Sequence, residues 1–541
     1  MRLTRRLALV QAVLALGGAA AAGGTAAAQE VRGVSAGSAP GMVGSEWEEY
    51  ARFLQTLGRS PAYPWSVRAF SPAEVDRILP ADSLHPWSAE QPRDDRPDAG
   101  LRVRWIAPQV DVIHNTAFPY SVNDGPLWAG KGLTTAVQGG VALRYGPLSL
   151  TLAPVAFRAE NARFPLAESA RPGADPFEDP LGVGIDLPQR FGDEAYARLD
   201  PGQSTLRLDF PAVTLGASTA NQQWGPGSTH PLLLGNNAPG FTHVFMGTGK
   251  PLGIGIGSLH ARALAGQLEE SDYSPAADTL SRRLMSGLVV VFVPRGLPTL
   301  ELGGARLIQS GRFRRAIRQH FREMVGGLFK SSAADPDDAQ EQGRLDQRAS
   351  FFGRWVAPGS GLEFYGEYAR EDHNWDLRDF LLEPDHTAGY MVGVRKAWPL
   401  GDTRMLTFRG EAVNTQSAHL RPIRNQGIFY AGSGVPQGHT HGGQVLGSVA
   451  AFGGSGLVAA SDFYHPGGRW SASYTRTYLH GPGNSAMAAE PDVLQTLGAD
   501  ALFMRSRWDV RVGMDAMFRD DPRRPDESFN LRSFVRLALK F

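Results

Sequence analysis

The sequence predicts an all-β transmembrane protein. It is an antiparallel outer-membrane β-barrel of about 18 strands, with 16 as the other even count, preceded by a short helical segment. Three observations carry this. The chain begins with the pattern of an export signal. Its body is a succession of short segments in which apolar and polar residues alternate. It contains no Cys in 541 residues, so an exported fold of this size must be stabilised by burial or by a membrane instead of disulfides.

The start of the chain has the parts of a cleaved signal peptide over residues 1–28. Arg2, Arg5 and Arg6 form the basic end, "LALVQAVLALGGAAAAG" the apolar stretch, and Ala26-Ala27-Ala28 the cleavage site before Gln29. No Cys follows, so no lipid anchor is expected. No run of about 18 apolar residues follows either, so no transmembrane helix is expected. The 54 basic residues balance the 54 acidic ones, which argues against a nucleic-acid partner. At the other end, "FNLRSFVRLALKF" places Leu531, Val535, Leu537, Leu539 and Phe541 on one parity and Arg532, Arg536 and Lys540 on the other. A terminal strand ending in an aromatic resembles bacterial outer-membrane barrels, and implies that the barrel-assembly machinery reads Phe541. The edge strand of a soluble sandwich is the competing reading.

Between these ends, residues 29–44 read as a flexible leader and residues 45–100 as periplasmic helices and a linker. Ser45 with Glu48 forms a capping box, and Gly58 stops a helix whose apolar face is Trp47, Tyr50, Leu54 and Leu57. Ser71, Pro72 and Glu74 start a second helix, which Pro80 ends. Both are short enough to need a docking surface, and the periplasmic mouth of the barrel is the expected one. "HPWSAEQPRDDRPDAG" (85–100) reads as the linker. Residues 101–541 are the barrel. In "WDVRVGMDAMF", Trp508, Val510, Val512, Met514, Ala516 and Phe518 point one way, and Asp509, Arg511 and Asp515 the other. Aromatics at both ends of one apolar face match two interfacial girdles. Leu362, Phe364 and Tyr368 oppose Glu363, Tyr365 and Glu367, with Arg354 facing Glu363 and Glu367; Leu406 and Phe408 oppose Arg409 and Glu411. Such faces suit an ion-paired lumen wall or the solvated side of a sandwich. Among the strand candidates, 203–218 and 442–453 each read as one strand. "YGP", "GGSG" and "HPGG" read as short turns, and 161–200 and 309–347 as long loops of the opposite side.

One segment stands apart. "NQQWGPGSTHPLLLGNNAPGF" (Asn221–Phe241) holds no charged residue. Asn221, Gln222, Gln223, Trp224, His230, Asn236 and Asn237 fit two uses. Amides and an aromatic ring match the hydroxyls and apolar faces of a sugar. They also suit a loop folded into the lumen, where backbone groups lack ladder partners. In "GHTHGG", His439 and His441 form an H-x-H pair, but two imidazoles without Cys or nearby carboxylates make an incomplete metal site; no metal is expected, and the pair reads as a loop or lumen contact. Arg312, Arg314, Arg315, Arg318 and Arg322 form a basic patch suited to acidic polysaccharide or lipopolysaccharide phosphates, unless the acidic run 335–341 neutralises it. The single G-x-S-x-G match, Gly33–Gly37, lies in the leader without the strand and helix of a nucleophile elbow, and no H-E-x-x-H or P-loop appears, so no catalytic residue and no cofactor is expected. Glu363 and Glu367 as a glycosidase pair compete with their pairing to Arg354.

These blocks add up to a family resemblance. "DGPLWAGKGLTTAVQGGVALRYGPLSLTLAP" (124–154), "LRLDFPAVTLGASTANQQWGPGSTHPLLLGNNAPGF" (206–241), "LRDFLLEPDHTAGYMVGVRKAW" (377–398) and "GHTHGGQVLG" (438–447) resemble the capsule assembly Wzi family. The resemblance runs from Ser45 to Phe541 and is strongest over Asn221–Phe241. It implies a lectin-like outer-membrane barrel that helps hold capsular polysaccharide at the cell surface, with no reaction attributed to it. The expected partners are surface polysaccharide, outer-membrane lipid and lipopolysaccharide. The alternatives are a general or sugar-selective porin and, behind it, an outer-membrane hydrolase.

Overall fold

The computed structural model describes residues 34–35, 41–80, 84–91, 100–169, 171–180, 184–275, 282–311, 320, 345–371, 381–382, 384–416, 427–432, 435–450, 452–479, 492–524 and 528–540. The expected signal peptide, the basic patch Arg312, Arg314, Arg315, Arg318 and Arg322, and Phe541 lie outside the described residues.

Eighteen strands close into one antiparallel barrel. They are β1 (Leu101–Asn115), β2 (Gly132–Tyr145), β3 (Leu148–Leu152 continued by Val155–Ala159), β4 (Tyr196–Asp200 continued by Thr205–Asp209), β5 (Thr214–Ser218) and β6 (Thr242–Gly247). Then come β7 (Gly257–Glu269), β8 (Arg282–Pro294), β9 (Leu300–Ser310), β10 (Leu345–Ala357), β11 (Leu362–Glu371) and β12 (Ala388–Pro399). The last six are β13 (Met405–Asn414), β14 (Ser455–His465), β15 (Gly468–Leu479), β16 (Asp492–Met504), β17 (Trp508–Asp520) and β18 (Phe529–Leu539). β18 pairs back onto β1, with Val535 opposite Val112. Closure leaves no long unpaired edge, the condition for strands to cross a bilayer.

Two expected strands are different. The 203–218 segment breaks where Pro211 has no N–H to give a ladder. Phe210 donates to Val213 O at 2.9 Å instead, so β4 turns into β5 there. The 442–453 segment does not span at all. Gly442 and Gly443 have φ of 56° and 78°, which an extended strand excludes, and the segment folds into the lumen. "GGSG" is therefore the end of that inward loop and not a turn. β6, whose six residues follow the uncharged segment, and the first half of β4 escaped the alternation pattern because each is short.

The outer face is apolar. Trp508, Val512, Met514 and Phe518 are exposed while Asp509 and Met517 are buried, the expected parity of β17. Tyr145, Trp355, Phe364, Trp398, Trp470 and Trp508 stand exposed near one end, and Tyr390, Phe518 and Phe529 near the other. In water so large an apolar surface is an aggregation liability; in a bilayer it is the lipid face between two girdles. No helix among the described residues is long and apolar enough to cross a membrane. Short turns such as those at Gly146 and Gly467 lie at one end and the long connections at the other, which marks the short-turn end as periplasmic.

The periplasmic end is filled by the chain's own helices. α1 (Glu46–Thr56) begins at Ser45, whose Oγ accepts from the Glu48 N–H at 3.2 Å. The capping box is incomplete, because the Glu48 carboxylate takes the Gly44 N–H at 2.6 Å and Arg68 at 3.2 Å. α2 (Pro72–Ile78) has the full reciprocal box between Ser71 and Glu74. Trp47, Tyr50, Phe53, Trp65 and Trp87 form a core against Ala397, Met405, Tyr464, Leu502 and Met504 of the barrel wall. Trp87 sits in the stretch expected as linker, yet it stacks on Tyr50 at 4.3 Å and donates from Nε1 to Gly468 O at 3.0 Å. Residues 84–91 thus belong to the plug. Trp87→Ala removes a buried indole at a cost of about 3–5 kcal/mol. The expected result is trypsin cleavage of residues 45–91 in a barrel that is otherwise still folded.

Candidate functional site: a lumen filled from both ends

Charged side chains of the wall hold the helical plug. Glu363 accepts from Arg52 Nη2 at 2.6 Å, from Arg354 Nε at 2.9 Å and from Thr56 Oγ1 at 3.0 Å. Arg354 also pairs with Glu301, which accepts the N–H groups of Trp65 and Ser66 at 3.0 and 3.2 Å. Glu49 of α1 binds Arg395 and Arg409, each at 2.8 Å. The expected Arg354–Glu363 pair therefore forms and gains Arg52 as a third member. Glu367 stands apart from it, near Ser350 and the Leu232 N–H. It lies under Gly225, where any Cβ would meet its carboxylate at 2.6 Å. Glu363 is thus tied to two guanidinium groups, an arrangement that holds structure and offers no proton.

The uncharged segment, between β5 and β6 on the long-loop side, folds inward and fills the other end. Its side-chain amides meet backbone groups. Asn221 donates to Gly235 O and Ala238 O at 3.2 and 2.8 Å. Gln223 donates to Gly227 O at 2.6 Å, and Asn236 to Asn123 O at 2.8 Å. Asn237 accepts from the Asn123 N–H at 3.1 Å and donates to Val445 O at 3.3 Å. Gln222 accepts from Arg262 at 2.9 Å. Trp224 is fully buried among Val67, Leu234, Met285, Val289 and Leu307. His230 is buried with Nδ1 3.0 Å from Ser448 Oγ.

The wall supplies the charge this segment lacks. Glu411, on the lumenal parity of β13, accepts the successive N–H groups of Ser228, Thr229 and His230 at 2.8, 2.9 and 2.5 Å. It also accepts the Tyr365 hydroxyl at 2.9 Å. Three aligned donors on one carboxylate are strong, charge-assisted bonds. The segment also touches the helical plug, because Gln223 and Trp224 pair antiparallel with Arg68 and Val67. That ladder puts the two plugs in direct contact inside the barrel.

A second inward loop, described over residues 427–432 and 435–450, locks the first. Tyr430 donates to Leu232 O at 2.6 Å, and His439 Nε2 to Leu233 O at 2.5 Å. The Gly235 N–H donates to Leu446 O at 2.9 Å. Arg283 donates to Gly438 O and Thr440 O at 2.9 and 2.7 Å. His441 Nδ1 accepts the Glu269 N–H at 3.0 Å. His439 and His441 thus serve different partners. No group of three or more metal-ligating side chains occurs among the described residues.

Between the plugs remains a polar cavity of about 390 Å³. Gln223 and Asn236 reach it from the uncharged segment, Glu46 and Glu49 from α1, and Arg409, Arg469 and Arg511 from the wall. Each of these arginines has a carboxylate partner: Glu49 for Arg409, Asp500 for Arg469 at 2.7 Å, and Asp500 for Arg511 at 2.8 Å. The sequence did not single out Arg52, Trp87 or Glu411 as anchors. A cation within an otherwise apolar stretch of helix, and an acid on a lumenal strand face, were the available signals.

The two plugs respond to acid over different ranges. Burial alone would raise the Glu49 carboxyl, but Arg395 and Arg409 outweigh it and hold the group well below the usual carboxylate range. Its contribution is complete above its unfolded value of about 4.3 and is lost only as pH falls below that. The outer plug depends on neutral histidines. Burial, then Arg198 and Arg283, push His441 down to about 3; burial and Arg348 push His439 down. A depressed histidine contributes fully above its unfolded value of about 6.5, and that contribution is lost as pH falls toward the folded value. At pH 4.5, His441 alone costs about 2–3 kcal/mol. The expected result on acidification is hydrogen exchange rising first in residues 221–241 and 427–450, and in residues 45–80 only at lower pH.

An eighteen-stranded barrel with a lipid-facing belt, filled along its axis by its own helices and loops, defines an occluded outer-membrane β-barrel. The model of the family described as "Capsule assembly protein Wzi" matches residues 111–517, three quarters of the chain, and the protein belongs to that family. Among solved structures, Wzi of Escherichia coli superposes with a TM-score of 0.59 at 13% identity, covering 92% of this chain and 98% of that one. That protein is described as an outer-membrane protein involved in group 1 capsule assembly and a carbohydrate-binding β-barrel. OccK2 of Pseudomonas aeruginosa (TM-score 0.39, 11% identity, 80% and 98% covered) and a BenF-like porin of Pseudomonas fluorescens (0.41, 9%, 82% and 99%) are more distant. No curated protein matches.

Proposed function

We propose that this protein binds surface polysaccharide, in a capsulated host the capsule itself, on the outside of the outer membrane and so aids capsule attachment and assembly. The observation that carries this reading is the double plug: helices from one end and two interlocked loops from the other meet at the Gln223–Trp224 ladder. A barrel filled this way is suited to holding a ligand at its surface and unsuited to passing one through. The porin reading gains no support from plugs that meet inside the lumen. In this reading the protein is not an enzyme, and Glu363 and Glu367 are structural. Asn221, Gln222, Gln223, Trp224, His230, Asn236 and Asn237 keep the plug in shape and give the outer loops a rigid base. Residues 45–91 are a periplasmic plug, residues 1–28 a cleaved signal, and the β18 end is the segment that the barrel-assembly machinery recognises.

The test pairs two measurements on the purified barrel. In a planar bilayer it is expected to show no steady open channel. On immobilised capsular polysaccharide from its host it is expected to be retained. A steady conductance with no retention would support the porin and remove this proposal.

A further inference from the structure

The external end carries an aromatic cluster whose buried member, Phe191, lies against Gly443 of the second inward loop. Phe177, in the loop joining β3 to β4, meets Tyr273, in the loop after β7, edge to face at 5.4 Å. Tyr273 reaches Phe191 at 6.4 Å. Phe191 stacks on Tyr196 at 4.3 Å and 14°, and Trp128 abuts Phe191 at 5.1 Å. Phe191 is buried, whereas Phe177 and Tyr273 are part-exposed. The base of the cluster is Ile113, Ala136 and Phe157, inward-facing residues of β1, β2 and β3. The cluster therefore rises from the lumen side and faces the external solution, away from the lipid belt.

Its rim is acidic. Asp175, Asp193 and Asp272 are exposed. Asp193 is bound by Arg190 at 3.1 Å, and the same guanidinium lies over the Phe177 ring at 5.8 Å. Neither Asp175 nor Asp272 pairs with a cation among the described residues. Burial, and then Asp272, Asp175 and Asp193, push the Tyr273 phenol up, so all three carboxylates act on one ring. Aromatic faces suit the apolar side of a pyranose, and carboxylates accept hydroxyl protons in charge-assisted bonds. Asp175 and Asp272 repel uronates, sulfates and lipid phosphates, whereas Asp193 is neutralised by Arg190 at 3.1 Å and Arg163 at 3.4 Å.

We infer that Phe177 and Tyr273, rimmed by Asp175, Asp193 and Asp272, form an external docking platform for uncharged sugar residues of the surface polysaccharide. This rests on the polysaccharide-binding reading above and gives it a place and a chemical preference.

The test uses the intact barrel in detergent and two probes: the host's purified capsular polysaccharide and the same material with its uronates reduced to neutral sugars. Wild type is expected to bind the reduced form at least as tightly as the native one. F177A with Y273A is expected to weaken both at least about tenfold, with unchanged heat-modifiability on gels. D175N with D272N leaves the rings in place and is expected to weaken the reduced form while narrowing its advantage over the native form. Unchanged binding by both double variants overturns the platform and leaves polysaccharide binding standing. Preference of wild type for the native acidic form also overturns it, as does loss in F177A with Y273A of binding to lipopolysaccharide vesicles alone. Absence of binding by wild type to either probe removes both proposals.

Discussion

Glu411→Ala is expected to convert a silent barrel into one with intermittent channel openings. The substitution strips the shared acceptor from the N–H groups of Ser228, Thr229 and His230 and from the Tyr365 hydroxyl. Glu411, His230 and Tyr365 are buried, so the His230 N–H and the Tyr365 hydroxyl have no ready replacement, whereas Ser228 and Thr229 are part-buried on the polar cavity. Each buried donor left unpaired costs about 1–3 kcal/mol. The loss exceeds what one turn of a loop can absorb locally, and residues 221–241 are expected to leave the lumen for part of the time. The strand itself loses only a side chain, so the barrel stays folded. Single-channel recording reads the effect directly. Glu411→Gln keeps one acceptor oxygen without the charge and should give fewer and shorter openings. Openings absent from both variants would mean that the plug is held by packing around Trp224 and not by this carboxylate.

The second large effect concerns the helical plug. Glu363→Ala leaves Arg52 and Arg354 facing each other in a site where both side chains and Glu363 are almost fully buried. Breaking a buried pair in this way costs about 3–5 kcal/mol, because an uncompensated charge remains. Arg52 lies on α1 and Arg354 on β10, so the repulsion acts across the interface between plug and wall. The expected outcome is release of residues 45–91 with retention of the strands, seen as a lower first transition in thermal unfolding and an unchanged second one. Replacing Arg52 and Glu363 together with apolar residues of similar size, with Arg354 kept on Glu301, should recover much of the loss. A single unchanged transition in Glu363→Ala would show that the aromatic core around Trp47 and Trp87 suffices alone.

Much of this architecture was legible in the sequence, for a physical reason. Strands such as β17 and β18 must place apolar residues toward lipid and charges toward the lumen over their whole length, and a period of two survives any tertiary detail. The capping residues Ser45 and Ser71 mark helix starts by local chemistry alone. The missed elements lacked such redundancy. β6 spans six residues and 196–200 five, too few for alternation to stand out. The 442–453 stretch holds a run of apolar residues between glycines, which suits a strand, yet it folds inward, since the backbone geometry at Gly442 and Gly443 excludes an extended strand there. For the uncharged segment, residue types were compatible with sugar contact and with plugging alike. What separates these uses is the position of Glu411, Arg262 and Asn123, each distant in sequence. Trp87 was hidden inside a Pro-rich, charged stretch that reads as linker, because its partner Gly468 comes from the far end of the chain.

This barrel is expected to keep polysaccharide on the cell. The most direct measurement of this is the ratio of cell-bound to released polysaccharide in a capsulated host from which the gene has been deleted, with the intact gene restored as control. Total polysaccharide is expected to stay unchanged, with a large shift into the medium on deletion and return to the cell surface on restoration. An unchanged ratio in the deletion strain would contradict it.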